Sequence, residues 1–445
     1  MSEARPIGID LFSGAGGLSL GFEQAGFDVV AAVEVDPIHA AAHKFNFPNC
    51  AVLARSVVGL SGADIRAAAR IGDKPIDVVF GGAPCQGFSL IGHRALDDPR
   101  NSLVREFVRI VAELQPRHFV FENVKGLTVG RHRAFLEELI DEFAATGYVI
   151  REPWKVLNAV NFGVPQDRQR LFLIGAKRGC TLPDYPDAIT GKPGGGKSAL
   201  PSAPTCEDAL GDLPDAELFA QLNSTDEVFV RRWANVESEY AREMHCMTND
   251  AWAFGHPREW NPHLLTSSAR TDHTEISRRR FEKTRPGDVE PISRFFRLPD
   301  DGVSNTLRAG TDAARGAFTS PRPIHYKHAR CVTVREMARL HGFPDWFRFH
   351  ETKWNGARQI GNAVPPPLGR AVASSIVRAL GVEPSCPSES VRLGDERLLR
   401  MGMAEASRFW RVVVPIARRD RKSGATKRRQ IDIESEAARF LAGGR

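Results

Sequence analysis

Long apolar runs are missing from this chain. No stretch of its 445 residues stays hydrophobic far enough to cross a bilayer, and the opening Met1-Ser2-Glu3-Ala4-Arg5 lacks the apolar core of a secretory signal. A membrane protein is thereby excluded and a cytoplasmic one expected. Cysteine is scarce and irregularly spaced: the seven stand at 50, 85, 180, 206, 246, 331 and 386, with no Cys-x-x-Cys pair. Neither a disulfide framework nor a zinc site is indicated, no metal is expected, and a reducing compartment would keep the thiols free.

Most of the chain is also short of charge of one sign. The net charge is +6, yet residues 381–445 hold fourteen Lys/Arg against nine Asp/Glu and so carry five of the six excess positive charges. Within that tail Arg418-Arg419-Asp420-Arg421-Lys422 and Lys427-Arg428-Arg429 flank a Ser-Gly-Ala-Thr connector. Such a tail is either a solvated appendage or an auxiliary nucleic-acid contact; the overall basic balance favours a polyanionic partner.

The composition, 42% hydrophobic and 26% charged, is that of a globular protein, and the length calls for two domains and an appendage. Over the first 175 or so residues, strand-like runs (7–12, 27–35, 76–80, 119–121, 148–157 and 170–176) alternate with amphipathic helical patterns (101–114 and 134–146). That alternation predicts an α/β domain with a mainly parallel sheet covered on both faces. From about residue 179 to 327 the pattern dissolves into Pro, Gly, Asp and Trp, and helical periodicity resumes at 333–341 and 368–380. The expected organisation is a first domain over 1–178, an inserted irregular domain over 179–327, a return to the first over 328–381 and a basic extension over 382–445. Gly191-Lys192-Pro193-Gly194-Gly195-Gly196-Lys197-Ser198 spells a phosphate-loop pattern, but prolines flank it where a strand and a helix are needed, so a linker is expected instead.

Chemistry concentrates in a few blocks. Ile76-Asp77-Val78-Val79-Phe80 runs into Gly81-Gly82-Ala83-Pro84-Cys85-Gln86-Gly87-Phe88-Ser89, which places Cys85 on a glycine-rich loop at the carboxyl end of a strand, where ligands collect in open α/β sheets. A buried structural cysteine is the alternative for an isolated thiol. Asp10-Leu11-Phe12-Ser13-Gly14-Ala15-Gly16-Gly17 joins the first strand to a helix through a bare turn, and Val33-Glu34-Val35-Asp36 puts an acid at the end of the second strand, the position that accepts hydrogen bonds from a ribose. A nicotinamide-dependent oxidoreductase is one reading of that pair, although Ser19 stands where the third glycine of a pyrophosphate cradle would be.

With Glu122-Asn123-Val124, Gln166-Asp167-Arg168-Gln169-Arg170, Arg330 to Pro344 and Gln359 to Pro366, these blocks occur in the order that resembles the DNA cytosine-5 methyltransferases, over residues 7 to about 381 apart from the insert. The resemblance implies a Rossmann-like S-adenosylmethionine-dependent methyltransferase sheet with a smaller target-recognition domain inserted, and duplex DNA as substrate. It implies Cys85 as the nucleophile at carbon 6 of a flipped-out cytosine and Glu122 at ring nitrogen 3. Arg168 and Arg170, two apart on an extended segment, would fix Glu122 and the base. It places Phe12, Gly14, Gly16, Glu34, Val35, Leu103, Asn362 and Val364 on the cofactor, with Ser56 or Asp64 at the adenine. Pro84, Gln86 and Ser89 fall beside the base, with the loop from Ser89 to Arg100 as a lid. In the insert, Arg278 and Arg280 are candidates for phosphates and Thr306, in a Thr-Leu pair, for the target, with a solvated face the alternative for either. Ala83 departs from the second proline usual there. The resemblance further implies a monomer that is either the modification enzyme of a restriction-modification system, with a cognate restriction endonuclease as partner, or an orphan modification enzyme without one. The RNA-directed branch of the same fold, acting on tRNA, and a non-catalytic DNA-binding regulator are the competing readings.

Overall fold

The computed structural model describes residues 5–84, 102–129, 132–194, 199–233, 236–310 and 321–414. Cys85, Gln86, Ser89, the rest of the expected lid and the two basic runs beyond residue 417 lie outside them, as does most of the Gly194–Ser198 stretch. None of the described helices is long and apolar enough to cross a membrane.

The first half of the chain builds β1 (Ile7–Leu11), α1 (Gly17–Gln24), β2 (Asp28–Val33), α2 (Pro37–Asn46), β3 (Ala51–Leu53), α3 (Gly62–Ala69), β4 (Val78–Gly81), α4 (Ser102–Leu114), β5 (His118–Val124), α5 (His132–Ala145), β6 (Tyr148–Ile150), β7 (Lys155–Asn158) and β8 (Gln169–Lys177). They form an eight-stranded sheet ordered β3-β2-β1-β4-β5-β8-β6, with β7 also pairing β8. Strands β1 to β5 are mutually parallel, and β8 runs antiparallel to its neighbours. The sequence reads 148–157 as one strand; it is two, broken around Pro153, whose missing N–H cannot join a ladder.

Alternation along the central strands decides which helices cover which face. Val79, Phe119 and Phe121 pack with Phe107, Val111 and Leu114 of α4 and Leu136, Leu139 and Phe143 of α5. Their neighbours Val78, Phe80 and Val120 point the other way, onto Leu18 and Phe22 of α1.

The insert is short of regular structure: α6 (Cys206–Leu210), β9 (Val228–Phe229), α7 (Glu239–Met244), β10 (Arg258–Glu259), β11 (Leu264–Leu265) and α8 (Glu275–Lys283). After it come α9 (Val334–Leu340), begun by a Thr333–Glu336 capping box, then α10 (Lys353–Asn362) and α11 (Pro366–Leu380). Helix α11 starts two residues before the predicted position because Pro366 and Pro367 suit the first helical turn. It returns to the sheet and packs Leu368, Val372 and Ile376 against α1. The approach is close: a Cβ on Gly21 would sit 2.7 Å from both the Arg370 amide nitrogen and the Pro366 carbonyl oxygen.

The expected basic extension is not all tail. Its first part forms β12 (Val391–Arg392), parallel to β10, then α12 (Arg397–Arg400) and α13 (Met403–Trp410). Leu398, Leu399, Met401 and Ala406 bury themselves against Ile38, Ala41 and Phe45 of α2. Net charge masks this, because an apolar stripe of four residues weighs little in a count dominated by arginine.

Candidate active site

The carboxyl ends of β1, β2, β3, β4 and β5 open into one cavity of about 720 Å³. In a parallel sheet these ends face the same way, so loops far apart in sequence meet there. Phe12, Gly14, Glu34, Val35, Ser56, Leu103, Asn362 and Val364 line it, together with Pro84, Glu122 and Arg170. Gly16 does not; it caps the start of α1 at φ 105° and leaves room there for the Phe47 ring. Asp64 is also elsewhere, in the exposed capping box of α3 with Ser61, which leaves Ser56 as the member of that pair on the cavity.

Backbone geometry shapes the cavity's first wall. Phe12 is held at φ 62°, a costly conformation for an aromatic residue, and Gly14 at φ 56° with open space where a Cβ would stand. Glu34 is fixed by two backbone donors: Gly14 N–H gives to Oε2 and Asp36 N–H to Oε1, both at 2.8 Å. Burial raises its pKa even so. Asp36 then caps α2 by accepting from Ile38 N–H at 2.9 Å and His39 N–H at 3.3 Å. A clamped carboxylate with free lone pairs, a bare glycine turn and the apolar Phe12, Val35, Val57 and Leu103 suit a nucleoside: ribose hydroxyls to the acid, a flat base to the apolar wall.

At the other end of the cavity, Glu122 lies on β5 with its Oε1 2.9 Å from Arg170 Nε on β8. Burial raises the Glu122 pKa, and the charges of Arg170 and Arg168 only partly offset it. Glu122 fits because residue 82 has no side chain; a Cβ on Gly82 would collide with Glu122 Oε2. Asn123 Nδ2 donates to the Ala83 carbonyl at 3.0 Å, tying the segment that leads into Cys85 to β5. Exposed Pro84, the last described residue before Cys85, lines the cavity beside these groups.

The two arginines expected to act together have separate partners. Arg168 precedes β8, and its fully buried guanidinium donates to Leu307 O at 2.9 Å and to Gly361 O and Ala363 O at 2.8 Å. It joins the end of the insert to the last turn of α10 and the residue that follows it, and its charge reaches Glu122 only through space. Thr306 belongs to the same latch, its Oγ1 donating to Asp167 O at 2.7 Å. Arg278 pairs with both carboxylate oxygens of Glu217, and Arg280 Nε stands 3.5 Å from Glu290 Oε1. Both thus meet acids inside the insert.

Several cavity residues had no assigned role in the sequence reading. Buried Asp10, which opens the first motif block, accepts from Ser19 Oγ at 2.6 Å; burial pushes its pKa up to about 8 despite that bond, and Glu34 adds to the rise. His39, Arg358 and Met403 also line the cavity. They sit outside the motif blocks or, like Arg358, just before one, and only folding brings them in.

Comparison with known proteins follows the same outline. The sequence model of the family described as C-5 cytosine-specific DNA methylase matches residues 8–378. The Type II methyltransferase M.XorII of Xanthomonas oryzae pv. oryzae is 56% identical over 418 residues, covering 94% of this chain and 95% of the relative. M1.HphI of Haemophilus parahaemolyticus, also a Type II methyltransferase, is 33% identical and covers 83% and 86%. A crystal structure described as a DNA modification methyltransferase encoded within an E. coli prophage superposes with a TM-score of 0.66 at 32% identity, over 85% of this chain and all of that one.

Proposed function

Because the chain belongs to the C-5 cytosine-specific DNA methylases of restriction-modification type and is a DNA cytosine methyltransferase, we propose that it methylates carbon 5 of cytosine within one specific duplex sequence through a covalent Cys85 adduct. Membership of a family described as DNA methylases favours this reading over the oxidoreductase, tRNA and silent-regulator ones, and methyltransferase chemistry on this fold implies S-adenosylmethionine. Bound in the cavity, S-adenosylmethionine would supply an electrophilic methyl group.

The chain's own residues do the rest. Carbon 5 of cytosine is a weak nucleophile, so the Cys85 thiolate first adds to carbon 6 and pushes electron density toward carbon 5. Glu122, its pKa raised by burial, holds a proton for ring nitrogen 3 and relieves the charge that builds there. Arg170 keeps the Glu122 carboxyl oriented. Loss of the carbon 5 proton and expulsion of Cys85 restore the ring. Since none of these atoms can reach a base stacked in a duplex, the cytosine swings out, and Pro84, Gln86 and Ser89 flank it. Phe12, Gly14, Glu34, Val35, Ser56 and Leu103 seat the donor's nucleoside, with Asn362 and Val364 toward its methionine.

Residues 179–327 serve in this reading as the target-recognition domain, on a catalytic domain made of 1–178 and 328–381. A monomer working in the cytoplasm, alongside a restriction endonuclease that cuts the same site, completes the proposal. The observation that carries it is the half-buried Glu122–Arg170 pair beside Pro84, at one end of a cavity suited to a nucleoside. Bisulfite sequencing of DNA from a host expressing the protein tests it. One short sequence methylated throughout is expected, and none with Cys85→Ser; methylation that survives Cys85→Ser would remove the thiol from its role.

A further inference from the structure

The family match ends at residue 378, yet the chain folds on to Trp410. We propose that Val391–Trp410 is a clamp on the methyl-donor cavity and that Met403 contacts the donor's nucleoside.

Three observations converge on it. The segment is anchored at several points: β12 pairs with β10, Gly394 N–H donates to Phe45 O at 2.9 Å, Glu351 N–H donates to Leu399 O at 3.0 Å, and Trp410 Nε1 donates to Pro37 O at 3.1 Å. Its apolar side chains reach both halves of the wall that holds Glu34, for Leu398, Leu399, Met401 and Ala406 share a cluster with Ala15 of the glycine turn and Ile38 of the first turn of α2. Half-buried Met403 lines the same cavity as Glu34, Val35, Asp36 and His39.

Those contacts give the clamp two effects. Packing against Ala15 and Ile38 holds the turn and the helix start in register, so the N–H groups that fix Glu34 stay in place. The Met403 thioether, flexible and polarizable, closes the cavity at that end with a surface suited to a flat ring or a ribose edge and keeps water off it. Arginine and glutamate elsewhere in the segment face solvent, which is how an appendage with a charged composition carries a buried function.

The inference rests on the cavity being the donor site, and calorimetric titration of the full-length protein with S-adenosylhomocysteine separates the two claims. Wild type binding and Met403→Ala binding about fivefold more weakly, with Met403→Leu restored, is the expected result. Glu405→Ala, exposed on the same helix, should bind as wild type, and the KM for DNA should not move in either Met403 variant. Met403→Ala binding within twofold of wild type overturns the clamp while leaving the donor site standing. Failure of wild type itself to bind overturns both.

Discussion

Glu122 Oε1 and Arg170 Nε stand 2.9 Å apart across an antiparallel pair of strands, where Val124 opposes Arg170 and Glu122 opposes Phe172. The arginine therefore reaches the acid diagonally, two residues along the ladder, and meets it through Nε.

Removing either partner should be costly in rate rather than in fold. Glu122→Gln keeps the shape and loses the transferable proton, so kcat should fall by about 10²-fold or more while DNA affinity persists. Arg170→Ala removes a charge that lowers the Glu122 pKa, so the acid holds its proton to higher pH. The alkaline limb of the rate profile should then move upward. Stopped-assay pH profiles of both variants decide the matter, and an unmoved limb in Arg170→Ala would dissolve the coupling.

Gly82→Ala is a stricter test of position. The added Cβ meets the Glu122 carboxylate, and a displaced acid loses its reach to the base. Turnover should drop by about 10²-fold, as misplacement by an ångström can, with the melting temperature nearly unchanged. Wild-type turnover in this variant would mean that Glu122 need not stay where it is.

Arg168 should behave differently. Its guanidinium satisfies three carbonyls in a water-free setting, and Arg168→Ala removes that donor from all three, leaving Leu307 O and Gly361 O bare at about 1–3 kcal/mol each while Ala363 O keeps its contact with His341 Nε2. Urea unfolding should register a large loss of stability; full stability with turnover abolished would return Arg168 to the chemistry.

Stability should be greatest between mildly acidic and neutral pH because of a buried cluster joining the insert to α9. Arg339 donates to Asp212 and Asp345, and His245 lies 2.7 Å from Asp212 and 2.9 Å from Asp345. Burial works against charge here, but Arg339 and His245 hold both aspartates below the ordinary carboxylate range, while the two aspartates raise His245. A depressed acid contributes above its unfolded pKa of about 4, and that contribution fades as pH falls toward the folded value. A raised histidine contributes fully below its unfolded value of about 6.5 and loses the contribution as pH climbs through the folded one. Melting temperature against pH should decline on both sides, and His245→Asn should flatten the alkaline side and, by removing one of the groups that lower the two aspartates, lessen the acid decline as well. An unchanged alkaline slope in that variant would exonerate the histidine.

Much of the fold is written locally. The alternation Val78-Val79-Phe80 specifies a strand buried on both faces, and Phe107, Val111 and Leu114 specify the helix stripe that covers one of them. Glu34, Phe12, Gly14 and Glu122 could be singled out because each stands at a strand end inside a recognisable block. The role of Arg168 could not be read that way: strand periodicity puts residues two apart on one side, but Arg168 lies one residue before β8 and its three acceptors come from residues 307, 361 and 363.

Residue order and type alone thus determined the α/β alternation, the place of the glycine turn, the acids at the strand ends and the Pro84-Cys85 step, since these depend on neighbours a few positions away. Tertiary structure alone decided which arginine meets Glu122, that Arg278 and Arg280 face acids, and that Met403 of the segment 391–410 lines the cavity. The reason is physical: periodicity and turn chemistry are short-range, whereas the partner of a buried charge is whatever the packing of distant segments leaves within hydrogen-bonding reach.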